Sequence, residues 1–304
     1  MLSGLFFAVC TGLITMGIGI VTSSVSQKKL NQPLIQGIAS IALMLFCLIG
    51  SLIMGHSFIF RYDFQWIAVI FLGTAGICNF LFYLFVERAM RNGHNGLIWA
   101  VVNAALIVPF LTGIFVFGDE ASWLCWCGAI VIVAGIFAGG CKKKDKEPIS
   151  TNKNYSWVFW TAISFIFAGV TQAANNIPSY FEGTDDIPML QKIFMFQAGS
   201  SLIAVLTLLT NMGKTTQSDP EKKRSTVILT IILTLMNGFL FACMYKCFEH
   251  LARVDLCAIA YPLLSGISIL GFGVYSLVFL KEKITLPVLL SLILIAIGSV
   301  FITM

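Results

Sequence analysis

The sequence predicts an all-α integral membrane protein with ten transmembrane helices, arranged as two inverted five-helix repeats. Of its 304 residues, 58% are hydrophobic and 11% are charged, whereas a soluble domain carries about 25% charged residues. The apolar residues fall into ten runs of the length needed to cross a bilayer, about 20 residues each. Matching features recur in the two halves. Because each half holds an odd number of runs, a repeat must be inverted across the membrane.

The ten runs follow one another with short polar connections, and the longest polar stretch divides them five and five. In chain order they cover 2–22, 33–54, 65–85, 96–117, 123–140, 157–177, 188–209, 227–248, 255–280 and 284–303. We therefore expect a first repeat over 1–141, a basic cytoplasmic linker over 142–156 and a second repeat over 157–304.

The basic residues predict the orientation. Fifteen of the 19 Lys and Arg residues lie in the odd-numbered connections, and the other four are Arg61, Lys192, Lys246 and Arg253. Cytoplasmic loops carry the excess of Lys and Arg, so both termini are expected outside, in a multi-pass protein of the cell (inner) membrane. The net charge of +5 is thus an orientation signal, and we expect no nucleic-acid partner.

Two sets of matching residues, used here as landmarks, indicate the internal repeat. The third run of each half ends in Glu-xxx-Arg, at Glu87 and Arg91 and again 162 positions later at Glu249 and Arg253. Such residues lie one helical turn apart and can pair. The second set places an acid before the last helix of each half, followed by small residues: Asp119–Gly128–Gly135 and Glu282–Ser291–Gly298.

This second set resembles the drug/metabolite transporter superfamily, the EamA-type ten-helix carriers. Weaker similarity to its rhamnose and glucose/ribose uptake branch rests on Gly76-Ile77-Cys78-Asn79, on 168–175 and on Leu280-Lys281-Glu282. The resemblance implies a carrier of two inverted halves with a central cavity and alternating access. Asp119 stands where the pattern usually has Glu, and Lys281 replaces the second Gly, which bears on helix-end packing.

Polar and aromatic residues inside the apolar runs are the candidate substrate-binding residues, because membrane interiors hold such side chains mainly where they face other helices or a cavity. They are Asn79, Trp99, Asn103, Gln172, Asn175, Asn237 and Tyr261, with Tyr83 and Tyr245 as further aromatic candidates. Asn and Gln also join transmembrane helices to one another, at about 0.6 kcal/mol each, and this alternative stays open for each amide. Gly135, Gly139, Gly266 and Gly298 are expected to permit close helix packing.

Depth in the membrane separates these candidates. Gln172, Asn175 and Asn176 share one helical face just before Pro178. Counting 1.5 Å per residue from Trp157 on the inner side, Gln172 lies about 22 Å into the membrane, within its outer third. This stretch is therefore expected to form an entrance to the binding site. Asn237 is the better midplane candidate.

Energy coupling is assigned to titratable or charged residues near helix ends. No GxxxxGK[ST] motif of an ATP-driven pump is present. The coupling or gating candidates are Glu87, His94, Lys246, Glu249 and His250. Solvated surface residues are the alternative for Glu87, His94, Glu249 and His250. For Lys246 we favour a structural or gating ion pair with Glu249, and a substrate anchor is the alternative.

Together these features favour a secondary transporter of a small neutral polar metabolite, with a sugar first and proton coupling as a hypothesis. An exporter of amino acids on the same fold is one alternative, and a non-transporting scaffold or receptor is another. No catalytic constellation stands out, so no enzyme activity and no cofactor are expected. Cys243, Cys247 and His250 favour packing over a metal site. The expected partners are the substrate and the bilayer.

Overall fold

A computed structural model describes residues 2–56, 63–140, 156–181, 183–184, 187–211, 219–252, 257–282 and 285–301. Most of the predicted linker, together with Arg253, lies outside these ranges. So do the side chains of Glu249 and Tyr261, whose backbone belongs to described helices.

The first half contains six helical segments. They are α1 (Leu2–Gln27), α2 (Gln32–Ile53), α3 (Asp63–Met90), α4 (Asn95–Asn103), α5 (Ile107–Thr112) and α6 (Trp123–Gly140). A 3₁₀ turn, Ala104–Leu106, joins α4 to α5, and a π-helical turn, Gly113–Phe117, extends α5. Residues 95–117 therefore form one continuous but irregular span.

The second half contains five helices. They are α7 (Ser156–Asn176), α8 (Met189–Asn211), α9 (Pro220–Ala252), α10 (Cys257–Val278) and α11 (Leu286–Phe301). A 3₁₀ turn, Ile177–Tyr180, continues α7. Every predicted apolar run coincides with one of the helical spans.

The described residues confirm an all-helical protein. Seven of their helical spans have the length and hydropathy to cross a membrane. Three shorter apolar helices, Trp123–Ala138, Leu263–Val278 and Leu286–Phe301, occupy the remaining predicted runs. This arrangement agrees with a multi-pass membrane protein.

Several helices extend beyond the predicted runs. The largest difference is at α9, which begins at Pro220, seven positions before the apolar run at 227. Its first turn contains Glu221 and continues through Lys222 and Lys223, which are good helix formers, and proline is favourable at the first helical position. Hydropathy marks the apolar part of a helix, whereas propensity and capping set its ends.

The two halves pack against each other along most of their length. Helix α3 contacts α7 and α8, α1 contacts α9 and α10, α2 contacts α8, and α6 contacts α11. The largest hydrophobic cluster surrounds Trp99, with Ile18, Phe82 and Phe272 among its members. It lies toward the end of the bundle where α1 and α3 end and α4 begins.

Small residues allow two very close crossings. A Cβ on Gly76 of α3 would lie 1.8 Å from the carbonyl oxygen of Phe196 on α8, and one on Gly199 would lie 2.0 Å from that of Gly73. Between α6 and α11, a Cβ on Gly298 would lie 2.8 Å from the Gly128 carbonyl oxygen.

The packing prediction for glycines thus has mixed outcomes. It is confirmed for Gly298 and for Gly135, whose Cβ would lie 2.9 Å from Cγ1 of Ile295. It is wrong for Gly266, because no atom of the described residues lies within 4 Å of its Cβ position. The surroundings of Gly139 lie outside what the structure describes.

Both halves contain the same turn before their last helix. Gly118 and Lys281 adopt left-handed backbone angles, with φ of +75° and +53°. The next residue is the acidic landmark, and its N–H donates to a carbonyl six positions earlier: Asp119 to Gly113 at 3.1 Å and Glu282 to Ser276 at 3.2 Å. Lys281 therefore takes the backbone conformation for which glycine is favoured.

Candidate functional site

A central cavity of about 170 Å³ lies between seven helices, α1, α3, α4, α7, α8, α9 and α10. At about 30 Å³ per molecule of liquid water, this volume corresponds to about six waters, or to a small metabolite. Its lining residues are Thr11, Thr15, Asn79, Phe82, Tyr83, Trp99, Val102, Asn103, Ala168, Thr171, Gln172, Asn175, Phe196, Asn237, Leu240, Phe241, Met244, Leu264 and Ser265.

The structure brings most of the predicted substrate-binding residues to this cavity. Asn79, Trp99, Asn103, Gln172, Asn175 and Asn237 all line it. The side chain of Tyr261 lies outside the described residues. Tyr83 also lines the cavity, whereas Tyr245 packs beside Phe241 in a neighbouring cluster. Their role in binding a substrate stays a prediction.

The cavity wall is uncharged at every lining residue that the structure describes. Five aromatic rings provide flat apolar surfaces, and amide and hydroxyl groups provide hydrogen-bonding atoms. The rings belong to Phe82, Tyr83, Trp99, Phe196 and Phe241. Such a wall can stack on one face of a ligand while donating to and accepting from its polar edge.

Some polar groups of the wall are held by the protein. The Trp99 indole Nε1 donates to Ser268 Oγ at 3.0 Å, and the Asn103 Nδ2 donates to the Trp99 carbonyl oxygen at 2.7 Å. By contrast, Oδ1 of Asn175 is buried without a hydrogen-bond partner in the structure. A buried amide oxygen without a partner costs free energy unless a water or a ligand donates to it.

Sequence reasoning missed the hydroxyl groups of the wall, Thr11, Thr15, Thr171 and Ser265. In transmembrane helices a threonine commonly donates to the carbonyl one turn earlier, as Thr11 does to Phe7 at 2.7 Å and Thr15 to Thr11 at 2.8 Å. Hydroxyls of this kind occur on many helix faces, so a single sequence carries no signal that selects these four.

The irregular span 95–117 supplies Trp99, Val102 and Asn103 to the wall. Pro109 explains part of its irregularity, because proline has no N–H for the carbonyl of Ala105. The 3₁₀ turn Ala104–Leu106 lies just before it, and the π-helical turn follows. Interrupted helices beside a cavity are typical of transporter binding sites.

The predicted coupling residues whose side chains the structure describes lie away from this wall. Glu87 is buried and pairs with Arg91, with 2.5 Å between Oε1 and Nε. The His250 ring stacks on Phe7 at 5.8 Å between centroids. Lys246 is exposed on α9. None of these three lines the cavity, so their role in coupling stays a prediction.

His94 lies at the start of α4, beside an acid that sequence reasoning used only as a repeat landmark. Its Nδ1 accepts from the Leu97 N–H at 3.2 Å and also lies 3.2 Å from Oε2 of Glu282. A neutral imidazole nitrogen can accept the first bond, whereas a protonated one donates to the carboxylate instead. The two contacts are therefore alternatives, because the first needs an Nδ1 without a hydrogen and the second needs an Nδ1 that carries one.

The Glu282 carboxylate joins the two halves. Oε1 accepts from the N–H and Nδ2 of Asn95 at 2.9 and 2.7 Å, and Oε2 accepts from the Gly96 N–H at 3.2 Å. Ser276 Oγ donates to the same carboxylate. Glu282 thus satisfies N–H groups in the first turn of α4, which otherwise have no helical partner.

Two effects oppose each other at Glu282. Burial raises the pKa of its carboxyl, but the hydrogen bonds from Ser276 and Asn95, together with the charge of protonated His94, lower it more. The pKa of Glu282 therefore lies below its ordinary value. At neutral pH the group is an ionised cap.

No protein-family model matches this chain, and no curated protein sequence matches it. Among solved structures, one described as "Crystal structure of protein" aligns with a TM-score of 0.61 and 13% sequence identity. The alignment covers 99% of this chain and 98% of the other. At this identity the likeness shows a shared fold over the whole chain.

Proposed function

We propose that this protein is a secondary transporter that carries a small neutral polar metabolite across the cell membrane. The observation that carries the proposal is the uncharged cavity of amides, hydroxyls and aromatic rings at the centre of the helix bundle. In this proposal ten helical spans cross the membrane as two inverted five-helix halves, which alternate in giving access to the cavity.

The cavity wall itself supports the inverted repeat. The Glu-xxx-Arg landmarks define a separation of 162 positions between equivalent residues of the third helix in each half. The same separation relates four pairs of lining residues: Asn79 and Phe241, Phe82 and Met244, Val102 and Leu264, and Asn103 and Ser265. Equivalent residues of both halves thus face one central space, as expected if the cavity lies on a two-fold axis.

Helix packing supports the same relation. If α1 corresponds to α7, α2 to α8 and α3 to α9, then the contact of α3 with α7 corresponds to that of α9 with α1. Both are among the extensive helix contacts of the protein. The contacts of α2 with α8 and of α6 with α11 each join a helix to its own equivalent.

The wall favours a neutral polyhydroxy ligand, with a sugar first. A phosphorylated ligand would need Lys or Arg beside it, because an anion is costly in a low-dielectric path. The described lining residues include neither. Aromatic faces stack on the apolar face of a sugar ring, while amide groups bond its hydroxyls. Proton coupling remains part of the proposal as a hypothesis.

A binding screen tests the ligand class. Purified protein is heated with sugars, amino acids or nucleosides, and binding raises the unfolding temperature by mass action. We expect stabilisation by one or more neutral sugars. Stabilisation by amino acids alone would instead favour the amino-acid exporter.

A transport measurement tests the cavity. Asn237→Ala removes a buried lining amide, and Leu235→Ala, two positions away on a residue that is 57% exposed, is the matched control. We expect uptake of the stabilising ligand into proteoliposomes to fall with Asn237→Ala and to persist with Leu235→Ala. Equal uptake by both variants would remove the cavity from the transport path. Uptake that ignores an imposed pH gradient would exclude proton coupling.

A further inference from the structure

The two acidic landmarks have the same local turn but different partners. Glu282 reaches across the halves and caps α4 through Asn95 and Gly96. Asp119 also reaches across the halves, but its Oδ2 accepts a single hydrogen bond from the Tyr180 hydroxyl at 2.6 Å, and this contact is exposed. Among the residues that the structure describes, one equivalent acid therefore caps a helix and the other does not.

The repeat locates the helix start that corresponds to the capped one. The first turn of α4 begins at Asn95, and the residue 162 positions later is Cys257, the first described residue of α10. Cys257 is therefore the equivalent position in the other half. Glu282 of the second half caps the first-half helix, so the two-fold relation makes the start of α10 the matching target for Asp119.

From this difference we propose that Glu282 and Asp119 are two equivalent latches of the transport cycle, engaged one at a time. In the state seen here, Glu282 closes the end of the bundle that carries the basic loops, by holding the start of α4. In the opposite state Glu282 releases α4, and Asp119 leaves Tyr180 to cap the start of α10. The inference rests on the proposed alternating access and identifies residues that set its two end states.

The cavity lies between the two latches along the same span. Trp99 and Asn103 follow the capped end of α4, and the Gly113–Phe117 π-helical turn leads into Asp119. Releasing α4 at Asn95 would therefore displace the part of the wall that contains Trp99. The 3₁₀ and π-helical turns give this span places at which it can bend without moving as one rigid rod.

The charges around the engaged latch are consistent with this role. His94 faces Glu282 from the turn before α4, while Ser276 of α10 is neutral. Ser23 of α1 donates to Oδ1 of Asn95 at 3.3 Å, so the same network includes a third helix. On α3, Glu87 is paired with Arg91.

The test measures access to the cavity from each side. Asn237→Cys is introduced, and its reaction with a membrane-impermeant thiol reagent is compared with that of the parent chain, in sealed vesicles of both orientations. Glu282→Gln and Asp119→Asn are then added separately. Their matched controls are the exposed neighbours Lys281→Gln and Glu120→Gln.

The two latch variants should act in opposite directions. Losing a charge-assisted hydrogen bond shifts an equilibrium on the order of tenfold. We therefore expect Glu282→Gln to raise labelling from the basic-loop side by about that factor. Asp119→Asn should lower it, because the proposed cap on α10 has more hydrogen bonds to lose than the present one from Tyr180. The two controls should label like Asn237→Cys alone. Ser276→Ala, which removes one bond to Glu282, should shift labelling in the same direction as Glu282→Gln and guards against misfolding of that variant.

The outcomes separate the latch from the transporter. If Asn237→Cys labels but the latch variants leave both sides unchanged, or shift them in the same direction, the latch proposal is overturned and the transporter proposal stands. If Asn237→Cys labels from neither side in any variant, both proposals fail. No substrate is needed for this readout, so an error in the substrate class does not affect it.

Discussion

Replacing Gly76 by alanine should separate α3 from α8 at their closest crossing. The new Cβ would lie 1.8 Å from the Phe196 carbonyl oxygen and 2.9 Å from the Ser200 backbone nitrogen, and neither backbone atom can move aside alone. The helices must part by more than 1 Å, and overpacking of this kind costs about 1–3 kcal/mol. The Ser200 Oγ bond to the Gly76 carbonyl, 2.7 Å long, would be strained or lost, at a further cost of about 1 kcal/mol.

Helix propensity offsets about 1 kcal/mol of this, because alanine is the better helix former. The expected net loss is therefore about 1–3 kcal/mol of unfolding free energy. The matched control is Gly73→Ala, three positions away on the same helix, where no atom lies within 4 Å of the Cβ position. Thermal unfolding of the purified variants should show a lower midpoint for Gly76→Ala and an unchanged or higher one for Gly73→Ala. Equal midpoints would refute the close crossing.

Three further expectations concern single side chains. Lys281→Gly should raise the unfolding midpoint, because it relieves a left-handed backbone strain of about 1–2 kcal/mol. This gain exceeds the cost of the greater conformational entropy that glycine gives the unfolded chain. The pKa of Glu282 is lower in the folded protein than its ordinary value of 4.5, so the carboxylate should stabilise the protein fully above pH 4.5. This stabilisation should be lost as the pH falls through the lower folded pKa. Glu282→Gln should lack this component of an acid-unfolding curve. Trp99→Phe should cost about 1 kcal/mol or more by leaving Ser268 without its indole donor, and Ser268→Ala in the same background should restore part of it.

Much of the fold and of the cavity follows from the sequence because the membrane imposes strong constraints. Apolar runs must be helices there, so hydropathy located every helical span. The cost of polar side chains inside those runs made Asn79, Gln172 and Asn237 conspicuous, and the structure brings them to one cavity. Burial of an amide in a helix does not suffice for this prediction, because Gln36 and Gln197 are also buried and do not line the cavity.

The role of Glu282 could not be predicted in this way. Its partners Asn95 and Gly96 lie almost 190 positions away, and their contribution is mainly a pair of backbone N–H groups. Backbone donors carry no sequence signal, so a carboxylate that caps a distant helix resembles any loop acid. The bends at Ala104–Leu106 and Gly113–Phe117 were missed for a similar reason, since hydropathy does not distinguish α from 3₁₀ or π geometry.

The proposed alternating access gives a reason for the unequal packing of two equivalent glycines. Gly76 and Gly238 are separated by 162 positions, as the repeat requires. Yet Gly76 touches the backbone of α8, while a Cβ on Gly238 would meet just the Leu43 side chain of α2, at 3.6 Å. A glycine inside a helix costs about 1 kcal/mol of stability relative to alanine. At Gly76 the close helix crossing offsets this cost. At Gly238 no close crossing with a described residue offsets it in this state. In the proposed carrier, the opposite state would bring α9 closer to α2, as α3 now lies against α8, and Gly238 would then occupy the close crossing.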